Sequence, residues 1–72
     1  MTPKQPRLEG RHVEKVLAKA GFRLVRQSGS HARWRHPDGR ATTVPRHSSR
    51  VIPPGTFKAI LEDTGMLGDD FR

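Results

Sequence analysis

The chain has 72 residues, of which 32% are hydrophobic, and its 14 Lys and Arg against 7 Asp and Glu give a net charge of +7 and a pI of about 11.4. That length allows one domain with a thin core. The absence of cysteine removes disulfide scaffolds, thiol nucleophiles and thiolate metal sites. No apolar run exceeds three residues, too short for a membrane span or a signal-peptide core, so the expected location is the cytoplasm with no membrane partner.

Met1–Glu9 carries Pro3 and Pro6 among polar residues and reads as a flexible N-terminal arm, with a single domain over 10–72. Val13, Val16, Leu17 and Ala20 then fall on one helical stripe, with Arg11, Glu14, Lys15 and Lys19 off it. Gly21 stands where a C-cap glycine belongs, so a helix is expected over about 10–20. Phe22–Gln27 is short and β-prone, and Ser28-Gly29-Ser30 is a turn cluster. His31–His36 alternates, placing Ala32, Trp34 and His36 on one face and His31, Arg33 and Arg35 on the other. Pro37-Asp38-Gly39 is a tight turn, and Ala41–Val44 is a third strand stopped by Pro45. A polar basic loop follows. Phe57, Ile60, Leu61 and Thr64 form a second helical stripe closed by Gly65, and Phe71 is placed to anchor the C-terminus. The order is α-β-β-β-α, which predicts an α+β domain with a three-stranded antiparallel sheet and two helices on one face. The other face is left to solvent or a ligand.

Charge and chemistry converge on the middle of the chain. Residues 1–50 hold twelve basic and three acidic side chains, whereas 51–72 hold two basic and four acidic ones. From Arg23 to Arg50 there are seven arginines, no lysine and one acid, Asp38. Guanidinium groups match phosphate oxygens in a planar fork, so this segment predicts a nucleic-acid partner. His31 shares its strand face with two arginines. RNA is cleaved without metal when a base takes the 2′-hydroxyl proton and cations stabilise the charged phosphorane, and histidine exchanges protons near neutral pH. A strand-end histidine capping the turn is the competing reading of His31. His36 reads as structural, His12 as solvated, and His47 as a second acid/base group or a phosphate ligand. No metal or other cofactor is expected, since the histidines lack ligand spacing. A helix-turn-helix reader of DNA is disfavoured because three strands separate the helices.

Ala20-Gly21-Phe22, Arg26-Gln27-Ser28-Gly29-Ser30-His31, His36-Pro37-Asp38-Gly39, Pro45-Arg46-His47 and Pro54-Gly55-Thr56-Phe57-Lys58-Ala59-Ile60-Leu61 together resemble the HicA toxin family. The resemblance implies a fold like the double-stranded-RNA-binding domain and the activity of an mRNA-cleaving endoribonuclease in a type II toxin–antitoxin system. It also implies a HicB-like antitoxin that covers the active site, and His31, in Gly29-Ser30-His31, as the catalytic residue. Arg26, Arg33, Arg35, Arg46, Ser30 and His47 are the expected RNA-binding residues. A non-catalytic RNA-binding module that represses translation is the alternative.

Overall fold

Helix α1 spans Gly10–Lys19 and exists because its apolar side chains recur with the helical period. Val13 and Leu17 are fully buried and Val16 is half-buried. Two members of the expected pattern differ. Ala20 is exposed, because the helix ends at Lys19 and the chain reverses through Gly21 at φ +98°. Glu14, expected off the stripe, is buried against Trp34 and Arg46. In the computed structural model, residues 8–46 and 51–72 are described; Met1–Arg7 and His47–Arg50 lie outside them.

Strands β1 (Arg23–Ser28), β2 (His31–Arg35) and β3 (Ala41–Pro45) form an antiparallel sheet in the order β1-β2-β3. Gly29, at φ +57°, opens the two-residue loop between β1 and β2, where positive φ suits the twist of a tight hairpin. The second hairpin turns at Gly39, φ +102°, and Asp38 braces it by accepting from the Arg40 backbone N–H at 3.0 Å. Ala32, Trp34, Thr42 and Val44 point into the core, as the alternation of β2 requires.

Helix α2 runs Pro54–Thr64, with proline in its first turn and Gly65 left-handed at its end, the asymmetry that a missing N–H and a missing Cβ favour. Ile60 and Thr64 are buried; Phe57 and Leu61 are half-buried. Thr42 donates to Asp63 at 2.9 Å, and the Arg40 guanidinium donates to the Thr64 carbonyl, so α2 is tied to β3 and the adjoining turn. A short 3-10 helix, Gly68–Phe71, drives Phe71 into the core edge-on to Phe57, with ring centroids 5.2 Å apart. The anchoring role of Phe71 is as expected; the helical turn that delivers it was not. His12 is exposed, as expected, and its Nε2 also donates to the Phe71 carbonyl at 2.7 Å.

The start of α1 sits against the end of β3. Leu8 accepts from the Ile52 N–H at 2.7 Å, Glu9 pairs with Val51, and a Cβ added to Gly10 would stand 2.8 Å from the Pro45 carbonyl oxygen. That oxygen belongs to backbone and cannot swing away. Gly10→Ala should therefore cost about 1–3 kcal/mol by overpacking, read as a melting point lower by roughly 5–15 °C. An unchanged melt would mean that α1 and β3 separate freely.

Candidate functional site

The outer face of the sheet is assembled by strand register. Ser28, His31 and Pro45 form one row across β1, β2 and β3; Arg26, Arg33 and Thr43 form the next; Arg23, Arg35 and Ala41 the third. His31, Arg33, Arg35, Arg23 and Arg26 are all exposed. The structure thus brings His31, Arg26, Arg33 and Arg35 onto one surface, with Arg33 about 7 Å from His31 along its strand.

Arg23 belongs to that surface too, and sequence alternation alone misses it. Residues three apart on a regular strand face opposite ways, so Arg23 and Arg26 should diverge. The register shifts between Leu24 and Arg26, making Val25 the extra residue of a bulge, which re-aims the side chains that follow. Both arginines consequently reach the outer face, and Val25 is left exposed.

The register sets Arg26 directly opposite Arg33 and Arg23 directly opposite Arg35. Like charges in these positions repel and weaken a sheet. Among the described residues no carboxylate lies within ion-pair distance of any of the four, and residues 1–7 and 47–50 contain no Asp or Glu. Arg33 donates to Thr43 Oγ1 at 3.1 Å, which spreads it across the face toward β3. The result is an acid-free cationic surface whose missing counter-charge an anionic ligand would supply.

Arg46 is built differently. Its Nε contacts both Glu14 carboxylate oxygens, at 2.8 and 3.0 Å, and its Nη1 donates to Gln27 Oε1 at 2.6 Å. Trp34 Nε1 donates to the same Glu14 at 2.9 Å. Arg46 therefore faces the helix side of the sheet, apart from the other arginines, and couples α1, β1 and β2 beneath His31. Its backbone N–H donates to the Ser30 carbonyl, so the β1–β2 loop and the end of β3 meet at the histidine. Ser30 is half-buried there. His47, which follows Arg46, lies outside the described residues.

Among the described residues the His31 ring makes no side-chain hydrogen bond, so the turn-capping contact is not formed there. His36 is the opposite case. It stacks edge-on to Phe22 with centroids 5.1 Å apart, and its Nδ1 accepts from the Asp38 N–H at 3.1 Å. Arg40, lying over the Phe22 ring and pairing with Asp38 at 2.8 Å, completes this structural cluster. The Asp38 carboxyl is held below its ordinary range, first by the Arg40 backbone N–H and then by the Arg40 side chain.

Among the described residues there is no group of three or more His, Asp or Glu arranged to hold a metal, and no helix long and apolar enough to cross a membrane. No curated protein matches the sequence. One family model matches residues 10–66, that of the HicA toxin of bacterial toxin–antitoxin systems.

Proposed function

The chain belongs to the HicA toxin family of bacterial toxin–antitoxin systems, and from that membership we propose that it is an endoribonuclease that cleaves mRNA and inhibits translation, with His31 as its catalytic group. The observation that carries this reading is the exposed His31 in a row beside the Arg26–Arg33 pair, on a face without carboxylates. His31 takes the proton of an RNA 2′-hydroxyl, the 2′-oxygen attacks the adjacent phosphorus, and the P–O5′ bond breaks. The products are a 2′,3′-cyclic phosphate and a 5′-hydroxyl. Arg26 and Arg33 offset the charge of the phosphorane, an electrostatic contribution fixed guanidinium groups make well, and Arg35 holds a phosphate further along the strand. Arg46 offers its remaining donors at the rim, and Ser30 orients the histidine or the substrate. His47 is proposed to bind phosphate or to protonate the leaving 5′-oxygen. No cofactor enters this chemistry; the surface beside His31 is cationic and repels a metal ion.

Family membership implies an antitoxin partner. We take it to be a HicB-like protein that covers the arginine face with an acid-rich surface, since complementary charge speeds association and blocks phosphates from the same site. The setting for such a pair is the cytoplasm, where mRNA is found.

The arginine face makes RNA binding salt-dependent. With about four phosphates neutralised on a single strand, log K should fall against log salt with a slope of about −3. Filter binding or fluorescence anisotropy across a salt series measures it. A slope near zero would show that the arginines do not hold phosphates.

A further inference from the structure

At the end of the exposed face remote from His31, an open groove of about 450 Å³ is lined by Arg23, Val25, Arg35, His36 and Pro37. Three features mark it as built for a ligand. Arg23 and Arg35 stand directly opposite each other on adjacent strands, an arrangement that costs stability unless an anion bridges them. The bulge at Val25 lets Arg23 share this face with Arg26, and it leaves Val25 56% exposed. Apolar Val25 and Pro37 therefore flank the two guanidinium groups, so the groove offers both charge and an apolar wall. Splayed bases of single-stranded RNA bind in this manner, stacked on planar guanidinium or apolar side chains while cations hold the phosphate. The His36 ring also lines the groove. It is already engaged by Phe22 and Asp38, which fixes the wall without leaving the histidine free for chemistry.

We propose that the Arg23–Arg35 pair, with Val25 and Pro37, is a binding subsite for one flanking nucleotide of single-stranded RNA, separate from the nucleotides cleaved at His31. Arg35 lies four residues from His31 on the same strand, or roughly 13 Å at the strand rise. That is too far for a guanidinium here to hold the phosphate attacked at His31. The subsite instead fixes the direction of the strand across the sheet and lengthens the footprint. It rests on the reading of this face as an RNA surface.

The test is a 15N NMR titration of the full chain with a 2′-O-methyl RNA of about twelve nucleotides, which binds but offers no 2′-hydroxyl for attack. Expected are shifts at both ends of the face, at Arg26 with Ser28–Ala32, and at Arg23–Val25 with Arg35, His36 and Asp38. Arg23→Ser should erase the second set, keep the first, and weaken affinity about five- to tenfold, the worth of one solvent-accessible hydrogen bond. Its melting point should not fall, because the substitution removes a like-charge pair. Arg35→Ser should erase the same set from the other strand, and Lys58→Ser, on α2, should change neither shifts nor affinity. Shifts confined to the His31 end would overturn the subsite and leave the RNA reading standing. Equal weakening by Lys58→Ser would overturn it as diffuse charge. No shift anywhere on the sheet would overturn the RNA reading itself.

Discussion

Replacing His31 by Gln is expected to lower RNA cleavage by roughly 10²–10⁴-fold, the usual contribution of a positioned general base, and to relieve growth arrest in cells expressing the chain. The fold should not change. His31 is exposed on the outer face, between Ser28 and Pro45, while its strand neighbours Ala32 and Trp34 supply the core. Loss of an exposed side chain costs under about 0.5 kcal/mol, so the thermal melt of the variant should overlay that of the parent. Among the described residues nothing nearby replaces the lost proton exchange. His36 is bonded within its own turn at the other end of β2, and a guanidinium offers donors but no acceptor for a proton. Gln retains size and hydrogen bonding, so RNA affinity should be nearly preserved. If His31→Gln stayed as toxic as the parent, the chain would act by occupying RNA, as a non-catalytic module. If it unfolded, His31 would be structural.

The largest expected loss of stability comes from Glu14→Ala. Glu14 is buried and takes hydrogen bonds from both Trp34 Nε1 and the Arg46 guanidinium. Truncation leaves a buried indole N–H without a partner and a guanidinium without its counter-charge. Removing one member of such a buried pair commonly costs about 3–5 kcal/mol; with Arg46 one-third exposed, water recovers part of that, and about 2–3 kcal/mol is expected. In a domain this small that is a fall of roughly 10–20 °C in melting temperature. Glu14→Gln keeps an acceptor for Trp34 and should lose less than half as much. Because Arg46 also bonds the Ser30 backbone beside His31, cleavage by the Ala variant should fall even below its melting transition. A melt equal to that of the parent would show that the network adds nothing to the fold.

The contrast between these residues shows what the sequence discloses. The helical stripes, the Gly-bearing turns and the alternation of β2 depend on local spacing, and so the α-β-β-β-α order and the outward set of His31, Arg33 and Arg35 are legible from the residues alone. The family match over 10–66 agrees with the resemblance carried by the Gly29-Ser30-His31 and Pro54-Gly55-Thr56 motifs. Three features depend instead on contacts distant in the chain. Glu14 looks like a surface residue of an amphipathic helix until Trp34 and Arg46 are brought to it. His12 is exposed as its place on α1 suggests, but its bond to the Phe71 carbonyl appears only when the C-terminal turn returns to its ring. Arg23 appears to face away from Arg26 until the bulge realigns them, and no local signal in Leu24-Val25 announces a bulge.

The central claim is that His31 drives attack by the RNA 2′-hydroxyl without a metal. The most direct measurement is end-group analysis of RNA cut by the purified chain in the presence of a chelator. The account predicts cleavage that is undiminished by the chelator, with 2′,3′-cyclic phosphate and 5′-hydroxyl ends, and no cleavage of an RNA methylated at every 2′-oxygen. Products with 5′-phosphate and 3′-hydroxyl ends, or cleavage that returns only when magnesium or zinc is added, would contradict it.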